Sequence, residues 1–166
     1  MKRSLAFALI TAAVLVPALA LAEGDVTVSL TANRMIPKPG GQEAATSAEH
    51  AKPGDVIEYR ATYRNAGNTS VRKLSATLPI PAGTEYLARS ASPAPEFAST
   101  DGRMFEPFPL TRRVRMPDGR EALREVPANE YRSLRWTLGT LAARGQQSVR
   151  ARVRVSSGTV AALVQH

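Results

Sequence analysis

The stretch Ser148-Val149-Arg150-Ala151-Arg152-Val153-Arg154-Val155 decides the fold. Its apolar residues recur at every second position, the period of a strand whose successive side chains point to opposite faces. Val149, Ala151, Val153 and Val155 face one way, and Arg150, Arg152 and Arg154 face the other. Three arginines on one side leave that side to solvent. A strand with one wet face belongs to an antiparallel sheet, because parallel sheets are covered on both faces.

Working outward, the same alternation returns. Leu134, Trp136 and Leu138 alternate with Arg135 and Thr137, and the turn Ala142-Ala143-Arg144-Gly145 joins them to the last strand. Ile57, Tyr59, Ala61 and Tyr63 oppose Glu58, Arg60, Thr62 and Arg64, and Asn65-Ala66-Gly67-Asn68 follows as a turn, since Gly and Asn accept positive φ. Leu74, Ala76 and Leu78 form a buried face against Lys73, Ser75 and Thr77. Pairing is expected to stop at Pro79-Ile80-Pro81, where two residues lack an N–H, before a short strand around Glu85 to Arg89.

Val26, Val28 and Leu30 alternate with Thr27, Ser29 and Thr31, which predicts a first strand with those apolar residues buried. Residues 35–54, with Pro37, Pro39, Pro53, Gly40, Gly41 and Gly54, read as a loop, with a short helical turn over Glu43 to His50. Asp101-Gly102 and Asp118-Gly119 predict two tight type I′ hairpins. The first joins Phe97 to Met104, Phe105 and Phe108, and the second joins Val114 and Met116 to Leu123 and Val126. About seven to nine short strands without an amphipathic helix predict an all-β fold, an antiparallel β-sandwich, with a closed barrel as the alternative.

The N-terminus reads differently. Lys2 and Arg3 precede an uncharged Ala/Leu/Val-rich run from Ser4 to Leu21, and Ala20-Leu21-Ala22 has the small-x-small pattern of a signal-peptidase site. Residues 1–22 are expected to be a signal peptide, and 23–166 a single domain. A retained anchor is the alternative, because Leu5 to Ala22 is at the lower edge of a membrane span. Export to the periplasm or the extracellular space follows from cleavage, with no transmembrane segment left. Losing Lys2 and Arg3 lowers the net charge by two, from +8 to +6.

Cysteine is absent, which removes thiol catalysis, thiolate zinc sites and disulfides together. An exported domain without disulfides must hold by burial alone, and a chain of this length is long enough to do so.

The motifs in residues 52–156 resemble a bacterial conserved-repeat family known as domain of unknown function number eleven. The resemblance rests on Lys52-Pro53-Gly54-Asp55-Val56-Ile57-Glu58-Tyr59, Tyr63-Arg64-Asn65-Ala66-Gly67-Asn68 and Leu78-Pro79-Ile80-Pro81-Ala82-Gly83-Thr84-Glu85-Tyr86. Ser99-Thr100-Asp101-Gly102-Arg103-Met104-Phe105 and Trp136-Thr137-Leu138-Gly139 extend it in the same order. It implies an immunoglobulin-like sandwich in exported or cell-surface proteins, often in tandem. No second copy of the Pro-Gly-Asp or Trp-Thr-Leu-Gly motif occurs, and Ala142-Ala143-Arg144-Gly145 lacks the proline usual beside that glycine. Fold does not carry function, so the resemblance implies a compartment and not an activity.

No residue set points to catalysis. His50 lies in a polar loop and His166 ends the chain, without the partners a triad or zinc site needs. Asp25, Asp55, Asp101 and Asp118 lack the dense alternating acids of a calcium loop and fit turn chemistry instead. No pair of carboxylates is set apart for glycoside hydrolysis. A non-enzymatic protein is expected, with no cofactor, no metal and no specific nucleic-acid readout.

The compositional excess is arginine, 18 against 4 lysines. Arg150, Arg152 and Arg154 must share a face, and Arg113 and Arg115 flank Val114 in the same manner. With Arg135 they are candidates for binding an anionic envelope polymer such as an acidic glycan or lipopolysaccharide phosphate. The plainer reading is a solvated face with acidic neighbours such as Glu121 or Glu125. Both stand beside a structural or protein-interaction role in the cell envelope, docking on another envelope protein through a sheet edge or loop surface.

Overall fold

A computed structural model describes residues 26–157. The proposed signal peptide, Asp25 and His166 lie outside them. Eleven strands are described, more than the seven to nine expected. The first five are β1 (Val26–Pro37), β2 (Glu43–Ser47), β3 (Val56–Asn65), β4 (Val71–Pro79) and β5 (Thr84–Tyr86). They continue as β6 (Phe97–Ser99), β7 (Glu106–Pro107), β8 (Thr111–Arg115), β9 (Glu121–Glu125), β10 (Ser133–Leu141) and β11 (Gln146–Val155).

Two antiparallel sheets form a β-sandwich. Sheet A has the order β2-β1-β3-β11-β5 and sheet B the order β4-β10-β6-β7, while β8 and β9 make a separate two-stranded hairpin. The alternation in β3 and β11 dictates what lies between the sheets. Ile57, Ala61 and Tyr63 of β3 and Val149, Ala151 and Val153 of β11 are buried against Ala76 and Leu78 of β4 and Leu134, Trp136 and Leu141 of β10. Trp136 is the largest fully buried side chain there, and its indole N–H donates to the Pro93 carbonyl at 2.8 Å.

Two local devices keep the pattern in phase. Lys73 and Gly139 both adopt positive φ, and the β4–β10 register slips beside them. The resulting irregularity turns Leu141 inward, where an unbroken alternation from Trp136 would have pointed it out. At the end of β3, Asn65 is buried, and its amide donates to the carbonyls of Thr69 and Ala142 while its Oδ1 accepts from the Gly67 N–H. That side chain fastens the turn after β3 to the turn before β11.

Four expectations change. Residues 43–47 form β2, not a helical turn, because pairing with Asn33–Pro37 outweighs the helix preference of Ala44 and Ala45. A short 3-10 turn over Pro39–Gly41 closes that hairpin. Neither Asp-Gly pair makes a type I′ turn, since only the glycines, Gly102 and Gly119, have positive φ. The β8–β9 connection is a turn closed by the Gly119 N–H on the Met116 carbonyl, with Gly119 as the left-handed residue. The β6–β7 pair is joined by a longer loop folded around Asp101.

The fourth change concerns β1. Val28 and Leu30 lie on the core side of sheet A, opposite Tyr63 and Ala61, yet they are 53% and 49% exposed. β4 packs on β3 and β10 packs on β11, so sheet B ends before it reaches β1.

Candidate functional site

The six arginines singled out from the sequence fall on three separate surfaces. Arg150, Arg152 and Arg154 line the outer face of sheet A, Arg135 lies on the outer face of sheet B, and Arg113 and Arg115 lie on one face of the β8–β9 hairpin. No single anion site gathers all six.

On sheet A the register brings in two residues that the sequence placed on the wet side of their strand without assigning a role. Arg152 stands directly opposite Glu58, and Arg150 opposite Arg60. Glu58 is nearly buried although it faces outward, because three guanidiniums surround it. Arg60 Nη2 donates to its Oε1 at 2.9 Å, Arg152 Nε to its Oε2 at 3.2 Å, and Arg150 Nη1 lies 3.6 Å from the same Oε2. Arg152 then makes two parallel bonds to Glu43 at 3.0 and 2.7 Å. The Glu43 and Glu58 carboxylates hold the Arg152 guanidinium above its ordinary pKa, Glu43 most strongly. Glu43 lies on β2, three strands from β11 in sheet A, so its pair with Arg152 ties the β1–β2 hairpin to β11.

The hairpin arginines are differently placed. Arg112 pairs bidentately with Glu130 at 2.7 Å on both arms, and Arg113 lies 3.7 Å from Glu121. Arg115, Arg120 and Arg124 are exposed, as is Leu123 at 68%. Only the base of the hairpin is anchored, by buried Leu110 and Val126 and by the Leu110 N–H donating to the Tyr131 hydroxyl at 3.1 Å. Arg135 stacks its guanidinium 3.4 Å from the centre of the Phe105 ring and donates to Thr77 Oγ1.

A cleft of about 380 Å³ lies between the β6–β7 loop and the hairpin base. Two of the three acids that line it, Asp101 and Glu130, are engaged in holding the chain, and the third, Glu106, is exposed. Asp101 Oδ1 accepts from the N–H groups of Arg103 and Met104, which keep its carboxyl below the ordinary aspartate range. Glu130 is taken by Arg112. Asp55 is likewise lowered by the Lys52 N–H, and Asp118 by the Arg120 side chain. All three aspartates act as turn caps, the chemistry their Gly neighbours predict. His50 is exposed. Among the described residues no three His, Cys, Asp or Glu side chains are grouped to hold a metal ion, and no helix is long and apolar enough to cross a membrane.

The remaining feature is an edge. β2 pairs with β1 only over Asn33–Pro37, so Val26–Ala32 has no neighbour on that side among the described residues. Other edges carry devices that discourage pairing. β4 has Arg72, the positive-φ Lys73 and a terminal Pro79; β7 is two residues long and contains Pro107; β5 is three residues long. Val26-Thr27-Val28-Ser29-Leu30-Thr31-Ala32 contains no charge, proline or glycine. Comparison with known protein families, curated proteins and solved structures finds no match to the chain.

Proposed function

We propose that this chain is an exported, non-enzymatic module of the cell envelope, an immunoglobulin-like sandwich of the conserved-repeat kind, that takes up an extended strand of another envelope protein along β1. The open, uncharged edge of Val26–Ala32 is the observation that supports this reading. Strand addition gains main-chain hydrogen bonds from the edge and side-chain contacts at alternate positions. Val28 and Leu30, half-exposed on the core side, supply those contacts and select a partner with apolar residues at every second position. Elsewhere Asp55, Asp101 and Asp118 cap turns, and Glu43, Glu58 and Glu130 are held in ion pairs.

The test uses the absence of native thiols. Ser29→Cys places one cysteine on the open edge, and a thiol-reactive crosslinker applied to intact envelopes is expected to give one discrete adduct. Adding Val28→Lys should abolish it, because a charge on the strand blocks edge pairing. No adduct, or the same adduct from Thr137→Cys on the opposite sheet, would refute the reading.

A further inference from the structure

The outer face of sheet A holds an electrostatic imbalance that the fold does not resolve. Arg60 and Arg150 stand directly opposite one another, and like charges at opposed strand positions repel. Both turn to Glu58, which Arg152 also engages. The 3.6 Å separation between Arg150 Nη1 and Glu58 Oε2 is too long for a hydrogen bond. Glu43 offers no relief, since both its oxygens are bonded to Arg152. The two side chains remain 42% and 43% exposed.

The surroundings are as specific as the charge. Thr31 is the neighbour of Arg60 on β1, and the next row of the same face reads Ser29, Thr62 and Ser148 across β1, β3 and β11. The row beyond reads Thr27, Arg64 and Gln146. The face is thus a strip of hydroxyls and one amide with guanidiniums at two levels. The aromatic residues of β3, Tyr59 and Tyr63, point to the other side of the sheet.

We propose that Arg60 and Arg150, with Arg64, form a binding site for the carboxylate or sulfate groups of an acidic polysaccharide laid across β1, β3 and β11. A guanidinium fork pairs with either group through two parallel hydrogen bonds. The serine and threonine hydroxyls both donate and accept, as sugar hydroxyls do. A face without aromatic rings offers no platform for stacked bases, which sets single-stranded nucleic acid aside. An anion between Arg60 and Arg150 also removes the repulsion between them. The site uses the face of the sheet and stands independently of strand uptake along its edge.

Polygalacturonate, dextran sulfate, neutral dextran and polyphosphate are titrated into the isotope-labelled protein across a salt series. Polygalacturonate or dextran sulfate is expected to bind and dextran not to, with amide shifts centred on Arg60, Thr62, Ser148 and Arg150. Arg150→Thr and Arg60→Thr should each weaken binding about tenfold and lower the salt slope by about one. Arg113→Thr with Arg115→Thr should leave it unchanged. The thermal midpoint of Arg150→Thr should hold or rise, because a like-charge neighbour is removed; an arginine kept only for the fold would lower it. The wild-type shift map locates the site even if a variant misfolds. Absence of polyanion binding at low salt, binding that neutral dextran reproduces, shifts centred on the hairpin, or tighter binding of polyphosphate would each overturn the proposal.

Discussion

Val149–Val155 of β11 and Arg113–Arg115 of β8 both alternate arginine with small apolar residues, yet the fold treats them in opposite ways. On β11 Val149 and Val153 disappear beneath sheet B, and Arg150 and Arg152 lie over β3, meeting Glu58, with Glu43 bound by Arg152 as well. On β8, Val114 is only half-buried and Arg113 looks no farther than Glu121 on the next strand. An alternating pattern therefore specifies a strand with two unlike faces. Whether either face is covered depends on a second sheet that the segment does not encode. Arg150 and Arg152 accordingly join a tertiary network on sheet A, while Arg113 makes a local pair on the hairpin and Arg115 is exposed.

The widest gap between the two regions is expected in their apolar residues. Val153→Ala should destabilise the protein by about 2 kcal/mol in denaturant unfolding, through lost burial and a residual cavity. Val114→Ala should cost about 0.5 kcal/mol or less, as surface substitutions usually do. Equal losses would mean that the hairpin packs on the sandwich as tightly as β11 does.

A smaller contrast lies in the acids. Glu58→Ala leaves clustered guanidiniums without their shared carboxylate on a half-buried face, and a loss of about 1–2 kcal/mol is expected once their partial exposure is allowed for. Glu130→Ala breaks a more exposed pair and should cost about 0.5 kcal/mol or less. The two variants measured side by side test whether the sheet A network is more than a collection of surface pairs.

Acid sensitivity should separate the regions last and least. Asp55, at the start of β3, and Asp118, at the hairpin tip, both have lowered pKa values in the folded protein. A lowered folded pKa contributes stability above the unfolded aspartate value of about 3.9, and that contribution is lost as pH falls through the folded pKa. Asp55→Asn should therefore flatten the acid limb of the unfolding curve. Asp118→Asn should leave it unaltered if the hairpin opens independently of the sandwich. A matching change in both would show that the two regions unfold as one.

The strands β3, β4, β10 and β11 were legible because each alternates over at least five residues, and burial follows that alternation but departs from it at Glu58, covered by its guanidiniums, and at Leu141, turned inward by the irregularity in β10. What escaped was whatever depends on partners distant in sequence. Val28 and Leu30 read as core because nothing local reports how wide the facing sheet is. Glu43 to His50 read as a helical turn because its alanines favour one, whereas the decisive contact is that of Glu43–Ser47 with Asn33–Pro37. The Asp-Gly pairs marked turns correctly, but turn type rests on the φ of the aspartate, which composition leaves free. Arg150, Arg152 and Arg154 were rightly placed on one face. Their neighbours Arg60 and Glu58 were visible on the wet side of β3, and only the register between β3 and β11 turns the two sets into one cluster.

The open edge of β1 also bears on how the protein is handled by the cell. Seven consecutive residues with high β-propensity and no charge, proline or glycine have the composition of segments that stack into cross-β fibrils. If a partner strand covers Val26–Ala32 as proposed, copies made in excess of it would carry that segment bare, and crowding them together favours self-templating over solubility. Matching supply to demand is then a requirement of the strand itself, and a single lysine at Val28 or Leu30 would relax it.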